Sequence, residues 1–367
     1  TTSRKTIRTF EQRQPALPPK LNFSLASIEQ FPEDLEDYYN DFYGFRSPLI
    51  RWHSLIKYFV FDLPSSPNTL IGKKKKWLFY GEPQAVDYYR GITQLTPEQL
   101  EGWRQVLEQR RNWLASQEIA YYFVIAPNKD TIYPELMPQA LNRIRQQSCF
   151  DQLVGYLKAN SDIQVIDLRG ALVNAKTENR VYFLTDTHWN ELGAFISYRA
   201  IMKTVSIRFP NLQPMEFADI EIRRVKQPGG DLAKFIAIDD LLSEKAPQIL
   251  PRNPRQVVAG QVLSKTITSS SNQSVTEISD PALPKMVMFH DSFTMVGLGT
   301  YLSQHFRRAV YLWNVASSFD FNPKVIRHEK PDIVIQQLVE RALPSTLPSN
   351  YPEVSTFKPT SHKKQRQ

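Results

Sequence analysis

The 367-residue chain has one cysteine, Cys149. It can form no internal disulfide, and no Cys-x-x-Cys or Cys/His cluster surrounds it, so thiol redox chemistry and a cysteine-based zinc site drop out. We read Cys149 as a buried or incidental thiol, compatible with the cytosol or the periplasm. No run of about eighteen apolar residues occurs, so no segment reads as a membrane span. The longest apolar-aromatic patch near the start, Tyr58 to Leu63, is too short. There is no HExxH, no paired His/Cys spacing and no dense Asp cluster, which argues against metal catalysis. Gly229-Gly230 and Gly297-x-Gly299 lack the context of a phosphate loop. Asp239-Asp240 is a lone acidic pair that reads as surface. No internal repeat is found, and no cofactor or metal is expected.

What is present is globular. The chain is 41% hydrophobic and 12% aromatic, enough for a sizeable core in one large domain or two ordinary ones. Its net charge is +8, with much of the excess in Lys73 to Lys76 and in Lys363, Lys364 and Arg366. A nucleic-acid partner would require a basic stripe with interleaved aromatics, and none is seen. A solvated loop and tail account for these charges; attraction to an anionic polymer or lipid surface is the other reading. The first residue is Thr1 rather than Met, so the expectation is a processed or truncated product that has lost a signal peptide or anchor.

Residues 1 to about 25 look extended. Apolar residues at helical spacing (Leu35, Tyr38, Tyr39, Phe42, then Leu49, Trp52, Leu55, Ile56, Phe59) predict two helices broken at Gly44. Lys76 to Tyr80 reads as a strand. Thr96-Pro-Glu-Gln supplies an N-cap and a first-turn proline for the helix carrying Trp103 and Leu107. Ile119 to Ala126 is a nearly continuous apolar run, the signature of a buried strand. A helix over Leu141 to Lys158 and a strand over Gln164 to Leu168 follow. Late in the chain come strands at Met286 to Phe289, Ala309 to Trp313 and Asp332 to Leu338, with helices at Met295 to Phe306 and Asn322 to Glu329. Residues 245 to 284, rich in Ser, Thr, Asn and Pro, read as a long connection or small hairpins. The alternation predicts an α/β sheet with helices on both faces. The expected division is a lead-in over 1–70, a main domain over 71–343 and a disordered basic tail over 344–367.

Two segments carry chemistry. Phe289-His290-Asp291-Ser292-Phe293 follows an apolar strand and precedes a helix. A serine there has its hydroxyl held on a tight turn, and the helix N-terminus aims free N–H groups at a developing oxyanion. Asp and Ser are equally good helix caps, so a capping role stands beside the catalytic one. The second segment is Thr185-Asp186-Thr187-His188-Trp189-Asn190. A serine hydroxyl needs a base, and histidine, oriented by a carboxylate, provides one. Asp186 and His188 would diverge on a helix but can meet in a loop, and Asn190 caps a following helix with Leu192, Phe195, Ile196 and Met202. Local packing of His188 against Trp189 is the competing reading. Of the six histidines, His188 alone has a carboxylate two residues before it in a loop.

The Asp-Thr-His-Trp-Asn segment upstream of an Asp-Ser-Phe turn resembles the alginate O-acetyltransferase family, a branch of the SGNH hydrolase superfamily. Trp77-Leu78-Phe79-Tyr80-Gly81, Ala126-Pro127-Asn128-Lys129, Ile132-Tyr133-Pro134-Glu135, Gly230-Asp231-Leu232-Ala233 and Pro331-Asp332-Ile333-Val334-Ile335 running into Glu340-Arg341 add to it, in the family's order. The resemblance covers roughly residues 30 to 343. It implies a three-layer α/β/α domain with a mostly parallel sheet, a periplasmic or cell-envelope setting, and acetyl transfer to an exopolysaccharide hydroxyl. It makes Ser292 the nucleophile, His188 the base and Asp186 its orienter. Asp291, Phe293, Trp189 and Arg341 are the neighbouring candidates for oxyanion or substrate contact. Implied partners are a polysaccharide acceptor and an acetyl donor delivered by an integral-membrane acyltransferase. The sequence departs from the family at His290, where glycine is usual, and at Gln337, near which an acidic residue is favoured; Lys73 to Lys76 replace a turn in which glycine is common. An acetyl esterase with the same triad and a non-catalytic polysaccharide-binding protein are the competing functions.

Overall fold

The computed structural model describes residues 14–20, 24–268, 272–314 and 319–346. The expected tail lies outside the described residues from position 347 onward.

Eleven strands occur among the described residues: β1 (Thr69–Ile71), β2 (Leu78–Tyr80), β3 (Ala120–Ala126), β4 (Val165–Asp167), β5 (Ile220–Gln227), β6 (Glu244–Pro251), β7 (Val258–Ala259), β8 (Gln273–Glu277), β9 (Lys285–His290), β10 (Arg308–Trp313) and β11 (Ile333–Val339). Seven form the central sheet, in the order β4-β3-β11-β9-β10-β8-β7. The five from β4 to β10 run parallel, and β8 and β7 extend the edge antiparallel. All seven residues of β11 are buried, because helices cover both faces of a parallel sheet.

Alternation along β9 and β10 shows the layering. Val287, Phe289, Val310 and Leu312 join Val325 and Ile326 of the helix Pro323–Glu329 on one face. Met286, Met288, Ala309 and Tyr311 point the other way, toward Phe195 of the helix Glu191–Arg208 and toward Tyr301 and Leu302. Side chains two apart share a face, so the four apolar residues in a row in β9 and the five in β10 need helices above and below. This is the three-layer α/β/α arrangement expected from the sequence.

Several local expectations are corrected. The helix expected over Leu141–Lys158 begins only at Cys149, where Ser148 and Asp151 form a reciprocal capping box. Cys149 is buried there, and burial pushes its thiol up to about 12. The strand expected over Lys76–Tyr80 shortens to β2 and pairs antiparallel with β1 outside the main sheet. The segment 245–284, expected as a long connection or small hairpins, carries the antiparallel β7–β8 pair, but it also holds nearly all of the eight-residue strand β6, paired along its whole length with β5 from outside the segment. The helix expected over Met295–Phe306 is broken: Gly297 takes φ 77°, and the π-helical turn Thr294–Leu298 gives way to the short helix Gly299–Leu302. The two N-terminal helices form, over Leu25–Phe42 and Arg46–Val60. Their apolar spacing does not mark a core face throughout. Tyr58 is buried, but Leu35, Tyr39, Leu49, Trp52, Ile56 and Phe59 are exposed.

Candidate active site

Ligand sites in parallel α/β sheets gather beyond the carboxyl ends of the strands. Three such ends meet here: β9 runs into Asp291-Ser292, β3 into Pro127-Asn128, and β11 into Glu340-Arg341. The Asp186–His188 loop closes over them. A Tyr182–Trp189 bridge pinches its base, and Asn190 caps the helix that follows by accepting from the Gly193 N–H at 3.1 Å.

The loop and the turn meet side chain to side chain. His188 Nε2 lies 2.7 Å from Ser292 Oγ, and His188 Nδ1 lies 2.7 Å from Asp186 Oδ1. Asp186 Oδ1 also accepts the His188 backbone N–H at 2.9 Å, and Oδ2 accepts the Asp231 N–H at 3.0 Å. The Asp186 carboxylate is therefore fixed from both sides. Burial by itself would raise its pKa, but these bonds and the His188 charge hold it at about 2. Burial by itself would lower the His188 pKa. The hydrogen bond and charge of Asp186, with the charge of Asp231, outweigh it and raise the pKa above the ordinary value, while Arg341 opposes them.

Asp231 was not singled out from the sequence. Its Oδ2 stands 3.7 Å from His188 Nδ1 and accepts from the Thr187 hydroxyl at 2.5 Å, while Oδ1 accepts the Thr187 N–H at 2.8 Å. Asp186, His188 and Asp231 are the one group of potential metal ligands among the described residues, within 4.8 Å of one another. Their atoms already serve each other and Thr187, so the arrangement reads as a proton relay. Lys129 was also missed. Its buried ammonium donates to the carbonyls of Leu78, Leu184 and Asp186 at 2.6, 2.8 and 3.0 Å, strapping the loop to β2. Burial, partly offset by the charges of Glu244, Asp186 and Asp231, lowers its pKa to about 7. Glu244 accepts the N–H groups of Leu184 and Thr185 from the other side. The only sequence signal for Asp231 and Lys129 was membership in shared motifs, and Glu244 had none, since none of the three lies near Ser292 or His188 in the way Asp186 does.

Three of the four neighbouring candidates hold the turn rather than face solvent. Asp291 is buried: Oδ1 accepts the Phe293 N–H at 3.0 Å and Gln337 Nε2 at 2.8 Å, and Oδ2 accepts the Val339 N–H at 2.6 Å. Neither its carboxylate nor the Phe293 N–H is left for an oxyanion. Phe293 packs its fully buried ring 4.8 Å from both His188 and Trp189. Trp189 is equally buried and donates its indole N–H to the Val296 carbonyl at 3.2 Å. Arg341 is the half-buried exception, stacked over Tyr80 at 5.2 Å and reaching the Asn128 side-chain oxygen at 3.4 Å.

The chain is similar to a probable alginate O-acetylase AlgJ of Pseudomonas fluorescens, 28% identical over 190 residues, which is 51% of this chain and 45% of that protein. It thus spans less than half the length of that relative. Among solved structures it resembles the O-acetyltransferase domain of Pseudomonas putida AlgJ, with 18% identity, a TM-score of 0.50, and coverage of 80% of this chain and 96% of that one. It also resembles Bacillus cereus PatB1, with 18% identity, a TM-score of 0.54, and coverage of 76% and 99%. These structural likenesses establish the fold. A family model described as SGNH hydrolase-like domain, acetyltransferase AlgX, matches residues 70–325, well over half of the sequence, and the chain belongs to that family.

Proposed function

We propose that this protein is a serine-dependent O-acetyltransferase that acts on hydroxyls of a cell-envelope polysaccharide, with residues 71–343 as the catalytic unit. The observation that carries the reading is the unbroken relay from Asp186 through His188 to Ser292, with both links at 2.7 Å. Family membership supports acetyl as the group moved. The periplasmic or cell-envelope setting and a membrane acyltransferase as donor source rest on the same resemblance. No described helix is long and apolar enough to cross a membrane.

The reaction runs in two balanced halves. His188 Nε2 takes the Ser292 proton as Oγ bonds to the acetyl carbon, and the donor's leaving oxygen departs with that proton. An acceptor hydroxyl then gives its proton to His188 as its oxygen attacks the acetyl carbon, and Ser292 Oγ leaves and regains the proton. The Ser292 backbone N–H, in the first helical turn after β9, is an oxyanion donor because no helical carbonyl precedes it. Asp186 keeps the proton on Nδ1 and steadies the imidazolium.

The test is acetylation of the chain by a chromogenic acetyl ester, followed by mass spectrometry of the Ser292 peptide. An acetyl mark is expected, and Ser292→Ala should lose it together with at least about a thousandfold in rate. Near-normal transfer by Ser292→Ala would remove the assignment. With oligosaccharide present, acetylated sugar marks a transferase; free acetate alone marks an esterase.

A further inference from the structure

A cavity lies beside the serine turn on its β8–β10 side, away from the β3 and β11 ends that carry Asn128 and Arg341. It encloses about 370 Å³, within the range of small-ligand sites. His290, Thr276, Ser303 and Tyr311 line its interior, and Met295 and Thr300 are exposed lining residues. No charged side chain is among its lining residues.

The interior is hydroxyl-rich and ordered. Ser303 Oγ lies 2.8 Å from both the Gly299 carbonyl and the Tyr311 hydroxyl, and the Thr276 hydroxyl donates to it at 3.0 Å. His290 is 6% exposed. Its Nδ1 lies 2.8 Å from the Asp291 carbonyl, and a carbonyl only accepts, so the proton is on Nδ1. Burial lowers its pKa despite the bond to Asp291, which keeps the ring neutral. Nε2 is therefore an acceptor, and it has no hydrogen-bond partner among the described residues. It is open to a donor that enters the cavity. An ammonium would need a carboxylate in the lining, and a uronate would need a cation; neither lines the cavity. A hydroxyl of an uncharged molecule satisfies it, and the thioether arm of Met295, 69% exposed, offers an apolar surface for the C–H face of a sugar ring.

We propose that this cavity is an acceptor subsite for one uncharged sugar unit, with His290 Nε2 accepting from a ring hydroxyl. The assignment rests on the polysaccharide O-acetyltransferase reading and narrows its acceptor to chains containing neutral sugars.

The full chain carrying Ser292→Ala reads binding without turnover. Cellohexaose, xylohexaose and chitohexaose serve as uncharged probes and an oligouronate hexamer as the charged one, each titrated by calorimetry. At least one neutral probe should bind at least about tenfold more tightly than the oligouronate. Adding Thr300→Trp at the rim, or His290→Phe, should weaken it at least about tenfold. Circular dichroism should show the Thr300→Trp protein folded as the native chain is. Failure of every neutral probe to bind, equal binding of the oligouronate, or a Thr300→Trp protein with unchanged affinity would overturn the subsite. Should His290→Phe misfold, Thr300→Trp still decides. Absence of acetyl-Ser292 would defeat the transferase reading and leave the binding result standing.

Discussion

Gly230 sits so close to Asp186 that a Cβ at position 230 would lie 2.3 Å from the Asp186 Cβ and 2.5 Å from its Oδ2. The glycine is needed for space, not for its backbone angles, since its φ of −78° is open to any residue. It lets the Asp231 N–H reach the carboxylate that orients His188.

Gly230→Ala should therefore act on catalysis. Any side chain there displaces Asp186, and a displacement near 1 Å of a relay group costs about a hundredfold. We expect kcat with a chromogenic acetyl ester to fall by about that factor, with the Ser292 acetyl mark forming slowly. Activity within about threefold of the native chain would show that Asp186 does not need this position.

Asp231 and Arg341 pull the His188 pKa in opposite directions. The base works only when neutral, so the rate climbs as pH rises through the His188 pKa. Asp231→Asn removes a negative charge and disfavours the imidazolium, which moves this ascending limb to lower pH. Arg341→Gln removes a positive charge and moves it to higher pH. The plateau rate of Asp231→Asn should change less than about tenfold, since the Asp186 bond remains. Profiles of kcat/KM against pH check both, and limbs that move the same way contradict the assignment.

Gln337 ties β11 to the serine turn. Its Nε2 donates to Asp291 Oδ1, while its Oε1 accepts from the Asp291 N–H and the Thr294 hydroxyl at 3.2 and 3.0 Å. Gln337→Glu would set two carboxylates together in a fully buried place, at a cost of about 3 kcal/mol or more at neutral pH. The new carboxyl would have a raised folded-state pKa. Its proton-bound stability is present below the unfolded carboxyl pKa and lost as pH rises through the folded one. Urea unfolding should show the variant close to native near pH 4 and weakened at pH 8. Equal destabilisation at both values would mean that lost packing dominates.

Much of the molecule follows from local sequence. The apolar runs at Ile119–Ala126, Met286–Phe289 and Asp332–Leu338 read as buried strands because only a two-sided sheet buries every residue. Ser292, His188 and Asp186 stand out as candidates, a serine at a strand-to-helix turn and a histidine two residues after a carboxylate in a loop, but each segment also has a local capping or packing reading, and it was the resemblance that joined them. The helix boundary at Cys149 was not legible, because Ser148 and Asp151 compete with an apolar pattern that begins upstream. The break at Gly297 and the β5–β6 pairing were also not legible, because both depend on contacts distant in sequence.

What the sequence by itself determined is the alternation of apolar strands and helices and the candidacy of Ser292, His188 and Asp186, since residue type and local spacing point to those. What only the tertiary structure decided is the surroundings. It turned Asp291, Phe293 and Trp189 inward, brought Asp231 and Lys129 to the relay, and opened a hydroxyl-lined cavity at His290. The physical reason is that hydrogen-bond direction and burial depend on partners far away in the chain, 104 residues for Ser292 and His188 and 213 for Arg341 and Asn128, which residue types do not encode.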